Sequence, residues 1–321
     1  MKSIKLPSWT RSLLGFDPVP APPHAFAVDR TRLVYGGFVR SGKALQFREY
    51  HSEELPAETF QDGLLGGSLT DVGAFDGIVR RLVGRVSGAV KEASLTVPDA
   101  WLRVAFAELD DLPRGARERD EVLRWKLKQQ VPFSPDDLRL DGVSVSPLPG
   151  QSEAFRVLVA FALDSVLSQL ELAFTKAGVK LGRITNSSLP ALSALGPGGQ
   201  GGGTVLAFVE EEGYSLVFAH DGEPVLHRFK AGTSDARFVV RDLRLTRDYL
   251  DRSVPGFPID RLVLCAPASL EGSWVDWLSE GFDHPAEAFS ARHLPASVGL
   301  SPELSGHDIA ALYGAAQEAV A

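Results

Sequence analysis

The chain has 321 residues, 44% of them hydrophobic and 23% charged, with 33 basic against 41 acidic side chains for a formal net charge of -8. That length exceeds what one core usually serves, so two lobes are expected, and the ordinary composition excludes a disordered or fibrous chain. The acidic balance argues against a nucleic-acid partner, the single cysteine Cys265 excludes an intrachain disulfide, and no apolar run is long enough to span a bilayer.

Residues 1–24 combine an apolar piece carrying Trp9, Leu13, Leu14 and Phe16 with Pro18-Val19-Pro20-Ala21-Pro22-Pro23. Proline favours an extended arm there, clipped onto the body or a partner, and the absence of a long apolar stretch behind the N-terminal lysines argues against export. Strand-like alternation follows at 25–28, 33–39 and 44–50, an antiparallel meander with Gly36-Gly37 and Ser41-Gly42 where bulges or turns fit. Phe75, Ile78, Val79, Leu82, Val83 and Val86 then fall at helical spacing, predicting a helix over 75–90. Strands are predicted at 93–98, stopped by Pro98, and at 102–106.

The sharpest pattern predicts a helix over 117–131, with Val122, Leu123, Leu127 and Val131 on one side, Trp125 displaced from that stripe, and Arg117 four residues before Glu121. Pro132 ends it by pushing the preceding residue out of helical geometry. Ser134-Pro135-Asp136-Asp137 reads as an N-cap with proline in the first turn. Strands at 138–145 and 155–162 precede a helix over 165–177, with Asp164 as its cap, and a short helix over 189–195.

The run Gly196-Pro197-Gly198-Gly199-Gln200-Gly201-Gly202-Gly203 is the best linker in the chain. A second meander is predicted at 204–209, 214–219 and 225–229, with Asp221-Gly222 at its second turn. A helix over 235–252, a strand at 261–265, an irregular tryptophan-containing segment and a helix over 306–321 complete the chain. Both halves thus run meander, helix, strand, helix, as expected of two similar lobes about a cleft.

Gly196-Pro197-Gly198-Gly199-Gln200-Gly201 has dinucleotide-loop spacing in the wrong context, because a helix precedes it and a strand follows. His220 and His227 flank a hairpin turn and are too few for a metal site. Glu210-Glu211-Glu212 reads as a solvated turn, and Cys265 as a small buried apolar residue. Trp101, Phe106, Trp125 and Phe133 supply aromatic anchors of the kind that dominate interfaces; ordinary core packing is the competing reading.

The runs SLTVPDAWLRV at 94–104, LDDLP at 109–113 and above all LRWKLKQQVPF at 123–133 resemble the PilM family of type IV pilus assembly. The resemblance implies an α/β, actin-like (ribonuclease H-like) fold of two lobes. It divides the chain into an N-terminal arm (1–24), a first lobe (25–195) with an inserted small subdomain (92–162), and a second lobe with the C-terminal helix (204–321). It also implies a cytoplasmic protein recruited to the inner membrane by the N-terminal peptide of a PilN-like bitopic protein, among other pilus or secretion platform proteins. Trp101, Arg124, Trp125, Val131 and Phe133 are the residues expected to line or support that peptide groove.

Members of the family commonly bind ATP with magnesium in the cleft, and here this chain departs from the pattern. Where the family has Asp-Ile-Gly and small hydroxyl residues in the first phosphate turn, this chain has Ala27-Val28-Asp29 followed by Arg30-Thr31-Arg32. The second phosphate turn corresponds to Phe208-Val209-Glu210-Glu211-Glu212-Gly213, and the paired glycines facing adenosine to Cys265-Ala266-Pro267. Backbone N–H groups of a glycine turn approach phosphate closely, whereas added carboxylates repel it. The expectation is a degenerate nucleotide site in a scaffold, with no cofactor. The alternatives are an actin-like ATPase using Asp29 as a magnesium-associated carboxylate, or a polymerising cell-division-type actin homologue.

Overall fold

The computed structural model describes residues 21–317 apart from 42–43, 62–67, 114, 129–130, 132–133, 149–154, 197–198, 233–234, 296–297 and 299–303. The first meander is β1 (His24–Val28), β2 (Arg32–Ser41) and β3 (Ala44–Glu54), and a small hairpin follows in β4 (Phe60–Gln61) and β5 (Ser68–Leu69). Helix α1 (Val72–Arg85) starts three residues earlier than its apolar spacing predicts, because the Asp71 carboxylate accepts from the Ala74 N–H at 2.9 Å. Its buried face is Phe75, Ile78, Val79 and Leu82. It leads into β6 (Glu92–Val97).

Of the expected insertion 92–162, β6 pairs with β1 and with the strand Lys180–Asn186 in the first sheet, so the separate part comprises β7 (Arg103–Leu109), α2 (Ala116–Leu127), β8 (Leu138–Val145) and β9 (Phe155–Leu163). Helix α2 ends four residues short of the predicted 131, and only Leu123 and Leu127 of its stripe are buried, against Leu109, Val157 and Val159. Arg117 and Glu121 pair at 3.1 Å, and Ser134 caps a single 3-10 turn, Pro135–Asp137. Helix α3 (Asp164–Lys176) is capped by Leu163 with no side-chain bond; Asp164 is already helical and binds Arg139 at 2.7 Å. β10 (Lys180–Asn186) and α4 (Ser188–Leu195) close this half.

The second half has β11 (Gly203–Val209), β12 (Gly213–His220), β13 (Glu223–Ala231), α5 (Ala236–Ser253), β14 (Arg261–Cys265), α6 (Glu271–Phe282), β15 (Glu287–Ala288) and α7 (Gly306–Ala316). Asp221 and Gly222 both have positive φ, as a tight hairpin turn requires. The segment expected to be irregular is helix α6. Trp274, Leu278 and Phe282, four residues apart, form its buried stripe.

Both halves share one strand plan. The first sheet has the order β3-β2-β1-β6-β10 and the second β13-β12-β11-β14-β15; in each, an antiparallel meander is extended by two parallel strands. The insertion forms its own sheet, β7-β9-β8.

The lobes are not strung on a free linker. Helices α4 and α7 contribute Ala191, Leu192, Ile309 and Leu312 to one core that also holds Ala25 and Phe38 of the first sheet and Leu206, Val217 and Cys265 of the second. A Cβ on Gly314 would meet the Pro190 carbonyl oxygen at 1.8 Å, so glycine is what lets α7 lie this close to α4. The described part of the glycine run is tied down by Asp221 to the Gly201 N–H, Asp260 to the Gly203 N–H, and Arg261 to the Gly196 carbonyl. The arm residues Trp9, Leu13, Leu14 and Phe16 lie outside the described residues.

Candidate functional site

The turns at the ends of β1 and β11 meet between the lobes. In the first, Asp29 Oδ1 accepts from the Thr31 N–H (2.7 Å), the Thr31 hydroxyl (2.7 Å) and the Arg32 N–H (2.8 Å), an Asx turn that consumes its carboxylate locally. Arg30 then reaches across and donates to Glu212 Oε1 at 2.6 Å, and the Trp101 indole N–H reaches the same oxygen at 3.2 Å. In the second turn Glu210 Oε2 accepts from the Asp99 N–H at 2.8 Å. A Cβ on Gly213 would lie 2.1 Å from the Lys230 carbonyl oxygen, so glycine is obligatory where this turn enters β12.

Asp99, at the end of β6, is the centre of the buried polar cluster. Its Oδ1 accepts from the Ser187 and Ser188 N–H groups at 3.0 Å each. Its Oδ2 accepts from Asn186 Nδ2 (3.1 Å), the Ser215 hydroxyl (2.5 Å) and the Ser188 hydroxyl, and lies 3.2 Å from His227 Nε2. Ser187 and Ser188 belong to the first half, Ser215 and His227 to strands β12 and β13 of the second. One carboxylate therefore stitches both lobes together in a site closed to solvent.

Two neighbouring carboxylates are driven apart in acidity. Burial pushes Asp99 up, but His227 and the serine hydroxyls outweigh it and hold it below its ordinary value. Glu210 is pushed well above its ordinary value by burial and by the Asp99 charge, with Glu212 adding to it. Asp99 is thereby the stronger acid of the pair and Glu210 the weaker. The charge run 210–212 is therefore not a solvated turn: Glu210 is buried and Glu212 is paired. His227 does not face His220, because His227 lies opposite Val217 and His220 opposite Glu223 in the β12–β13 ladder. Among the described residues no three His, Cys, Asp or Glu side chains are grouped to hold a metal ion.

No protein-family model matches the chain, and no curated protein matches its sequence. Among solved structures it is similar to a chain of a PilM–PilN type IV pilus biogenesis complex, with a TM-score of 0.73 at 14% identity over 94% of this chain and 97% of that one. The ethanolamine utilization protein EutJ from Carboxydothermus hydrogenoformans gives 0.50 at 10% identity over 94% and 92%. A Bacteroides thetaiotaomicron protein with an actin-like ATPase fold gives 0.51 at 9% identity over 88% and 96%. The fold is actin-like.

Within the actin-like cleft, the residues expected at the nucleotide positions divide into two groups. Asp29, Arg30 and Thr31 stand at the first turn and Glu210 at the second, brought together through Glu212. Ala27 packs with the core around α4 and α7, the Phe208 ring lies tilted against His307 with centroids 4.5 Å apart, and Ala266 is buried in the second-lobe core. Asp99, Glu212, Ser188, Ser215 and His227 were not singled out as site residues by sequence reasoning. The one available signal was a carboxylate two residues after the strand that Pro98 stops.

The residues expected at the peptide groove also separate. Trp101 is buried in the first-lobe core, 4.6 Å from the Phe60 ring, with its indole N–H on Glu212 of the second lobe. Arg124 holds the 134–138 turn by donating to the Pro135 and Leu138 carbonyls, both at 2.5 Å. Trp125 projects from α2 with 69% of its surface exposed, and Val131 is half-buried against the insertion's core. Phe133 lies outside the described residues. The insertion is itself docked on the second lobe: Glu223 accepts from the Ser146 N–H and hydroxyl at 2.6 Å each, Arg156 donates to the Val225 carbonyl, and the Arg103 guanidinium stands 4.2 Å over the Phe229 ring.

Proposed function

We propose that the chain is a cytoplasmic scaffold of a type IV pilus or related secretion platform at the inner membrane, a binding protein and not an ATPase. Its partner is the N-terminal cytoplasmic peptide of a PilN-like single-pass membrane protein, held on the inserted subdomain where Trp125 is presented and Arg124 and Val131 support it. The observation that carries this reading is the ion pair across the cleft. Of the two cations at the first turn, Arg30 is bonded to Glu212 and Arg32 to Asp308, and Glu210 accepts from the Asp99 N–H beside them. Admitting a phosphate means breaking such a charge-assisted bond, a loss of about 1.5–3 kcal/mol, and then facing added carboxylate repulsion. The side chains do not fit a magnesium triphosphate. The likeness in fold to a chain from a PilM–PilN complex supports the choice of partner.

Calorimetric titration tests both halves. Magnesium ATP is expected to give no saturable heat, and a synthetic PilN-like N-terminal peptide a saturable one that Trp125→Ala removes without lowering the thermal midpoint. Micromolar ATP binding would restore the ATPase reading, and concentration-dependent light scattering that reports filaments would restore the polymerising one.

A further inference from the structure

Helix α5 covers the second sheet with Val239, Val240, Leu243, Thr246 and Leu250, which is the face that folding requires. A second face, roughly a third of a turn away, is not polar. Phe238, Leu245 and Tyr249 are 70%, 53% and 50% exposed. At seven- and four-residue spacing they form one stripe about 16 Å long. Scattered exposed apolar residues are normal, but three large ones aligned on a single helix mark a contact surface.

The rim is basic. The helix carries five arginines against three aspartates in a chain whose net charge is -8, so the local sign opposes that of the whole. Arg237 and Arg241 are exposed, border the stripe and make no ion pair among the described residues. Asp242, on the other flank, is neutralised by a two-pronged bond from Arg228 at 2.6 and 2.7 Å.

We propose that this face of α5 rests on an anionic lipid surface, with Phe238, Leu245 and Tyr249 at the acyl boundary and Arg237 and Arg241 among the headgroup phosphates. An amphipathic helix with arginine beside aromatic and leucine side chains suits a bilayer interface. Two other occupants fit less well. A stripe of three side chains is well below the roughly 800 Å² per partner of a stable dimer. An acidic peptide needs a groove lined by free cations, and the cleft beside Phe238 sets its one lysine, Lys230, 4.0 Å from Asp242 and also holds Asp235. The proposal does not rest on the peptide reading, because lipid alone suffices to test it.

The test is co-sedimentation of the full chain with vesicles of phosphatidylglycerol and phosphatidylethanolamine, against vesicles of phosphatidylcholine. Binding is expected only to the anionic vesicles and is expected to weaken with salt. Each of Arg237→Gln and Arg241→Gln should weaken it about fivefold. The double variant Phe238→Ser, Leu245→Ser should weaken it about tenfold or more, with circular dichroism and thermal midpoint unchanged. Absence of binding to anionic vesicles, or equal binding by the folded variants, overturns the proposal. A lipid-free dimer that the double variant abolishes also overturns it and assigns the face to a second copy of the chain. Because the vesicles hold no PilN-like protein, failure here leaves the peptide reading standing.

Discussion

Replacing Asp99 with alanine tests the central claim about the cleft, that one carboxylate joins the lobes. The substitution leaves the Ser187 and Ser188 N–H groups, Asn186 Nδ2 and the Ser188 and Ser215 hydroxyls without their acceptor in a buried site, and removes the carboxylate that lies 3.2 Å from His227 Nε2. Each orphaned donor costs about 1–3 kcal/mol, but the losses share one site and do not add, so breaking the cluster should cost about 3–5 kcal/mol in all. Asp99→Asn keeps the volume and one acceptor oxygen, and about half that loss is expected. Ser215→Ala removes a single donor and should cost about 1–2 kcal/mol. Guanidinium denaturation followed by circular dichroism and tryptophan fluorescence measures all three. A loss below about 1 kcal/mol for Asp99→Ala would refute the reasoning, since it would mean that water replaces the carboxylate freely.

Other substitutions probe separate links. Burial raises the Asp308 pKa, but His307 at 3.6 Å and Arg32 at 2.6 Å outweigh it and hold the group at about 2. Its contribution, about 2 kcal/mol, is therefore fully present above pH 4 and lost as pH falls to about 2, so the stability gap between wild type and Asp308→Asn should close over that window. Glu210 behaves oppositely, because its folded pKa is raised: its protonated form favours folding below the ordinary carboxylate range, and that contribution fades as pH rises through the folded value. Glu210→Gln should thus gain on wild type as pH increases, and a constant difference across pH would contradict the assignment. Leu123→Ala, in the insertion's core, should cost about 2–5 kcal/mol, while Trp125→Ala should change stability by less than about 0.5 kcal/mol. Gly314→Val should separate α4 from α7 and unfold or strongly destabilise the chain, read as loss of the cooperative melting transition.

Local patterns carried most of the fold. The two meanders were legible because their apolar residues alternate, and β14 matched its predicted span residue for residue. Helix α6 escaped because Gly272, Ser273, Ser279 and Gly281 dilute its stripe and Leu270 gives no side-chain cap. Gly281 is there for a tertiary reason, since a Cβ would lie 2.5 Å from Leu243 Cβ on α5, and no local rule reveals that. The site was less legible than the fold. Trp125 stood out by helical phase alone. The Asp99 cluster draws on residues near positions 99, 187, 215 and 227, and a carboxylate run such as 210–212 reads as solvated until a cation from position 30 is folded against it.

The same bonds that cross the cleft also resist its opening. Opening the lobes would require parting Arg30 from Glu212, taking Ser215 and His227 away from Asp99, and splitting the core that α4 and α7 share between the two sheets. The insertion adds a further strap, because Ser146 and Arg156 fasten it to β13. Each of these bonds is modest alone, but hinge opening breaks them together, so cleft closure cannot serve as a weakly held switch. β13 runs on toward α5 in the chain, and the insertion is bonded to β13. The surface that presents Trp125 and the surface that presents Phe238 are consequently held on one body. The bonds that hold the lobes and the insertion together therefore also fix the distance between these two faces.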